Sequence, residues 1–168
     1  RLSDETFEGD IELPSLRNKF LTIGMAKVST SAAEAFDLGF YKKGRDKFVV
    51  NQDRQIAEAK TAVLDMANAG YTRPVERKNI RVLGRQGLGM VYAGAYTMYS
   101  GKYISEHDKL ISEKLGYVLC GGDLSNKTLV SEQYLLNLER EAFLSLLGEK
   151  KTLERIQSIL TTGKPLRN

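Results

Sequence analysis

Residues 131–148, SEQYLLNLEREAFLSLLG, and residues 151–165, KTLERIQSILTTGKP, decide how this chain is read. In the first, Tyr134, Leu135, Leu138, Ala142 and Leu146 recur at spacings of three and four. That is the apolar stripe of an amphipathic helix. Ser131 supplies an oxygen that can accept an early helical amide, and Gly148 stops the run. In the second, Leu153, Ile156, Ile159 and Leu160 repeat the pattern over about Lys151 to Thr162, before Gly163. Two successive helices with no strand to pair make a helical layer, not a βαβ unit.

Working outward, the same signals recur. A helix is expected from Pro14, with Leu16, Phe20, Ile23 and Met25 on its apolar side. Ser31 and Glu34 have capping-box spacing and open a short helix from Ala32 to Leu38, closed by Gly39. Phe48–Val50 reads as a brief strand. Asn51 caps a helix to Ala69, with Ile56, Ala59, Val63 and Met66 on one face and Gly70 as its stop. Residues 71–83, containing Pro74, form a connector that is extended at Ile80–Leu83. Gly84–Gly89 reads as a glycine-rich turn before a buried helix over Met90–Tyr99. Ser105 and Asp108 then cap a helix carrying Leu110, Ile111, Leu115, Val118 and Leu119, ending at Gly121 and Gly122. The expected class is mostly α, with at most one or two short strands and no internal repeat.

The chain's 168 residues, 42% apolar and 27% charged, suffice for one domain with a core and argue against disorder. No apolar run approaches the roughly 20 residues that span a bilayer. No stretch pairs a basic start with an apolar core, so no secretory signal is read. Residues 1–13 are polar, acidic and without period, as a frayed cut end would be.

Chemistry-bearing residues are few. Cys120 and His107 are the single cysteine and histidine, so neither an internal disulfide nor a Cys/His metal cluster can form. Cys120 ends an apolar helical run and reads as a small buried packing group, not a nucleophile. His107, between Glu106 and Asp108, reads as an exposed first-turn residue, with a general acid–base role as the alternative. Residues 84–89, GRQGLG, reverse the spacing of a dinucleotide-binding loop. An anion at the following helix N-terminus, facing Arg85, is the physical alternative. Arg73, Arg77, Lys78, Arg81 and Arg85 give a basic bias to a chain of net charge +4. Without interleaved aromatics, that bias is poorly suited to single-stranded nucleic acid, and no nucleic-acid partner is expected.

Two stretches resemble the crotonase (enoyl-CoA hydratase/isomerase) family: 25–40, MAKVSTSAAEAFDLGF, with the segments following it, and 139–165 with its Lys-Pro ending. Residues 71–130 are longer than an ordinary crotonase has. Together with 103–109 (YISEHDK), 117–124 (YVLCGGDL), 132–146 (EQYLLNLEREAFLSL) and 163–168 (GKPLRN), they make the chain similar to the C-terminus of bacterial 3-hydroxyacyl-CoA dehydrogenases. In those enzymes an NAD-binding dehydrogenase precedes a crotonase-like region.

The resemblance implies a C-terminal piece of a cytoplasmic β-oxidation enzyme, in keeping with a chain that opens at Arg1. The fold implied is the C-terminal helical part of a crotonase-like fold with an extended helical insertion. Residues 14–70 would be outer crotonase-like helices, 71–130 the connector and insertion, and 131–168 the C-terminal crotonase-like helices. The oxyanion-hole loops, the catalytic carboxylates, the dinucleotide motif and the His-Glu pair all lie upstream in the family. No catalytic residue and no metal ligand is therefore assigned here. The whole enzyme would use NAD and acyl-CoA thioesters, and the piece itself would hold no cofactor. What carries over is a contact to coenzyme A from Lys164, although the aromatic position of the family's final helix is Ile159 here. The implied role is structural: completing the outer wall of an acyl-CoA site, meeting the upstream part of the same enzyme, and making homo-oligomer contacts. The alternative is a non-enzymatic helical interaction module.

Overall fold

The computed structural model describes residues 11–168. The chain forms two compact units, one comprising residues up to Ala26 together with Glu76–Asn168, the other Lys27–Val75. Most described residues are helical, and the only strands among them are two short ones.

In the larger unit the elements are α1 (Glu12–Gly24), β1 (Ile80–Val82), α4 (Arg85–Ser100), α5 (Glu106–Leu119), β2 (Thr128–Val130), α6 (Glu132–Leu147) and α7 (Lys150–Thr162). The smaller unit holds α2 (Ala32–Asp37), a 3₁₀ turn at Gln52–Arg54, and α3 (Gln55–Asn68).

In the larger unit α4 lies along α5, α1 packs against both, α6 packs on α5, and α7 packs on α6. The strands pair antiparallel, with Ile80 opposite Val130 and Val82 opposite Thr128. The core is where α1, α4 and α5 meet: Leu16, Phe20, Leu83, Leu88, Val91 and Cys120. Leu16 and Cys120 are fully enclosed. Burying an aliphatic side chain of this size stabilises the fold by about 1.5–3 kcal/mol.

Glu12 ties the start of α1 to the hairpin. Its buried carboxylate accepts from Arg81 Nη1 at 2.9 Å and also pairs with Lys127. Burial pushes the Glu12 carboxyl up, but the hydrogen bonds and charges of Lys127 and Arg81 outweigh it and hold it below its ordinary value. Helix α1 begins at Glu12, two residues before the expected Pro14. Residues 1–10 of the expected frayed end lie outside the described residues.

Other sequence expectations are corrected. Phe48–Val50 is not a strand, because no segment among the described residues pairs with it; the Phe48 ring instead meets Phe36 edge-on at 6.3 Å. Ser31 does cap α2, accepting from Glu34 N, but Glu34 does not complete a box. Its carboxylate accepts from the amide and the hydroxyl of Thr30, at 2.7 and 2.6 Å. The stretch read as a glycine-rich turn at Gly84–Gly89 is mostly helix, since α4 begins at Arg85. Strand β2 had no counterpart in the sequence reading.

Gly87 explains why a glycine sits inside α4. A Cβ there would stand 2.7 Å from Cys120 Sγ and 2.9 Å from Leu16 Cδ2, so the core closes only on a bare Cα. Gly94, on the same helix, meets nothing within 4 Å. Gly87→Ala is expected to destabilise the chain by about 1–3 kcal/mol through overpacking. Gly94→Ala should stabilise it by roughly 0.5–1 kcal/mol through helix propensity. Denaturant unfolding of the two variants should therefore shift in opposite directions.

Candidate functional site

Helix α5 opens on a complete capping box. Ser105 Oγ accepts from Asp108 N at 3.1 Å, and Asp108 Oδ2 accepts from Ser105 N at 3.0 Å. This arrangement leaves Asp108 Oδ1 pointing away from its own helix, where Arg155 Nη1 of α7 donates to it at 2.7 Å. Both side chains are mostly buried, at 22% and 17% exposed. Burial pushes the Asp108 carboxyl up, but the Arg155 and Ser105 bonds prevail and hold it below the usual carboxylate range.

Arg155 uses two further donors on the tail. Its Nε donates to Asn168 Oδ1 at 2.9 Å and its Nη2 to the Asn168 carbonyl at 3.2 Å. Asn168 Nδ2 in turn donates to Glu154 Oε2 at 2.7 Å. Gly163, in the left-handed region at φ 68°, turns the chain so that residues 164–168 fold back along α7. The Ser158 hydroxyl donates to the Lys164 carbonyl at 3.0 Å on the way.

The strapped tail forms one wall of a cavity of about 420 Å³, whose other walls come from α1, α4, α5 and α7. Its surface is mainly apolar: Phe20, Met98, Ile111, Leu115 and Leu166 are among the groups facing it, and Gly24 contributes bare backbone. Beside it lies a shelf lined by Tyr99, Ser100, Lys102 and Ser105; Tyr103, Ile104, Asp108 and Arg167 border both. A mainly apolar cavity of this size with a few convergent polar groups has the form of a small-molecule site.

His107 is not exposed as expected. It is 4% exposed, and its Nε2 hydrogen-bonds Thr152 Oγ1 at 3.0 Å, joining α5 to α7. Burial lowers its pKa; Arg155 and Lys151 lower it further, against smaller opposing effects of Glu149 and Asp108. A buried, neutral imidazole bonded to a threonine between two helices is a tie and not a shuttle. Cys120 is buried as expected, and burial pushes its thiol up to about 12, far from thiolate chemistry at neutral pH. The two stand thirteen residues apart along α5, about 20 Å at the helical rise, so no Cys–His pair forms.

The basic stretch does not act as one patch. Arg81 is engaged by Glu12, and Arg85 is held by Asp123, with Nε donating to Oδ1 at 2.6 Å and Nη2 to Oδ2 at 3.0 Å. The Arg85 amide donates to the Leu124 carbonyl at 2.8 Å. The carboxylate of Asp123 thus occupies the guanidinium that, in the alternative reading of residues 84–89, would face an anion. Lys164 is exposed and lines neither the cavity nor the shelf. Among the described residues no cluster of three metal-ligating side chains occurs, and no helix is long and apolar enough to cross a membrane.

Sequence reading missed Arg155, Lys102 and Arg167 as site residues. A partial signal was present: Asp108 was legible as a cap, and a capping carboxylate keeps a second oxygen for another partner. The partner itself, forty-seven residues on, left no local mark.

Among known proteins, the chain is 46% identical over 149 residues, 89% of its length, to a probable 3-hydroxyacyl-CoA dehydrogenase of Bacillus subtilis (strain 168). It spans 19% of the length of that relative. No family model matches the chain, and no solved structure matches it.

The His107 tie has a pH signature. Its folded pKa lies below the unfolded value near 6.5, so protonation favours the unfolded chain. The stability it contributes is complete above that value and is lost as pH falls through it towards the folded pKa. Unfolding free energy should therefore decline as the pH falls from about 7 through the ordinary histidine value near 6.5, and less steeply in His107→Leu. At neutral pH, Thr152→Val should cost about 1–3 kcal/mol by leaving the imidazole nitrogen unpaired.

Proposed function

We propose that this chain is the C-terminal region of a cytoplasmic 3-hydroxyacyl-CoA dehydrogenase of fatty-acid β-oxidation, with a crotonase-like module, and that it serves by architecture and not by turnover. The observation that carries this reading is the 46% identity over 149 residues to the Bacillus subtilis relative. The whole enzyme would act on acyl-CoA thioesters with NAD. Neither cofactor chemistry nor acid–base catalysis is assigned to this region. The buried His107 and Cys120 are consistent with that: one is a neutral helix tie and the other a packing thiol.

The proposed role is to complete the outer wall of an acyl-CoA site and to make contacts with the upstream part of the enzyme and with a second copy. Exposed apolar side chains favour such a role. Phe143 and Leu144 on α6, and Leu153, Ile159 and Leu160 on α7, are each more than half exposed. Apolar surface on this scale suits an interface. Lys164, free of the cavities and close to a helix end, is proposed to meet a phosphate of coenzyme A. The same exposed faces would serve a non-enzymatic interaction module, which predicts no response to coenzyme A thioesters.

Calorimetric titration with acetoacetyl-CoA separates the two. Saturable binding, weakened several-fold by Lys164→Ala, is the expected result; absence of binding at millimolar ligand would favour the interaction module. The isolated chain should also hydrate crotonyl-CoA no faster than buffer. Turnover above that control would contradict the architectural reading.

A further inference from the structure

We propose that the apolar cavity and the cationic shelf beside it form one binding site for an amphiphile, taking an alkyl chain between α1, α4, α5 and the tail, and its anionic head at Lys102 and Arg167. The two halves of the site differ in their cations. In the cavity Arg155 is neutralised by Asp108 at 2.7 Å and tied to Asn168, so among its charged groups only Arg167, at the border with the shelf, is left without an ion-pair partner. Outside, Lys102 and Arg167 line the shelf, and neither has an ion-pair partner among the described residues. Asp108, the carboxylate on the shelf, is already taken by Arg155, so an anionic head would be the counter-charge of Lys102 and Arg167.

The shelf is also shaped for its cation. Lys102 sits in the left-handed region at φ 60°, a conformation that lysine seldom adopts, at the turn where α4 gives way to Tyr103. That turn carries Lys102 to the shelf and Tyr103 to the border between the two halves. The cavity's 420 Å³ lies within the range of about 300–1,000 Å³ that holds small ligands.

The choice of a fatty acyl chain as the alkyl group rests on the function proposed above. The geometry by itself asks for an alkyl chain and an anion, which a free fatty carboxylate and an acyl-CoA, through its phosphates, both supply. The chain would enter the cavity in either case.

Isothermal titration of the chain with hexanoate, octanoate and decanoate, and with the matching CoA thioesters, tests the site and separates the sources. Each added methylene should tighten binding about fourfold until the cavity is full. Gly24→Phe should weaken binding at least tenfold. A Cβ at that position meets only Leu115 Cδ2, at 3.7 Å, so the ring grows into the cavity without backbone strain. Lys102→Asn combined with Arg167→Gln should weaken both ligand series about tenfold while leaving thermal unfolding unchanged, since asparagine tolerates the left-handed conformation. Neutral decanol should bind more weakly than decanoate.

No chain-length dependence, equal binding of decanol, or binding untouched by both variants would overturn the site. Fatty carboxylate bound with no thioester bound would support the site and count against the coenzyme A reading. Acetoacetyl-CoA bound through Lys164 with neither series bound would do the reverse.

Discussion

The arrangement around the tail depends on one carboxylate with two tasks. Asp108 closes the first turn of α5 through Ser105 and anchors Arg155 of α7 with its other oxygen. A carboxylate at a helix N-terminus is already favoured by the helix dipole. Its charge is therefore compensated twice, which offsets much of the cost of its burial. Removing either partner would leave the other charge poorly solvated, and breaking a buried pair of this kind typically costs about 3–5 kcal/mol, less where water still reaches it. The pair is consequently a constraint on geometry more than a source of net stability. It fixes where α7 lies against the start of α5, and through Asn168 it fixes the tail.

From that constraint the cavity follows. The core of Leu16, Leu88, Val91 and Cys120 sets α1, α4 and α5 in close contact, with Gly87 permitting the approach. At the far end of the same helices, near Gly24, Met98 and Ile111, the helices leave room that the tail roofs with Pro165 and Leu166. A tight end and an open end of one helical layer thus have different causes. The tight end is set by side-chain volume, and the open end by a polar clamp that holds the roof.

Local signals in the sequence were read well where the chemistry is local. The caps at Ser31, Ser105 and Ser131 each accept the third helical amide, as their spacing implied. Ile80–Leu83 is extended over its first three residues, and the stop at Gly163 takes the left-handed conformation. What failed was non-local or ambiguous. Gly84–Gly89 looked like a turn because three glycines lower helix propensity, yet Gly87 is selected by close packing of a helix. Phe48–Val50 had strand composition but no partner. His107 looked exposed because its neighbours are acidic, whereas Thr152 buries it from forty-five residues away. The arginine that organises the site lay in the middle of the most legible helix, but no periodicity says which exposed-looking position will reach back to another helix.

Arg155 holds the tail as the wall of a formed cavity. Amide nitrogen relaxation of the wild-type chain and of Arg155→Met tests it directly. Order parameters of about 0.85 are expected for Leu166 to Asn168 in the wild type, falling below about 0.6 in the variant, with the amides of α4 unchanged. A tail equally ordered in both proteins, or equally mobile in both, would contradict it.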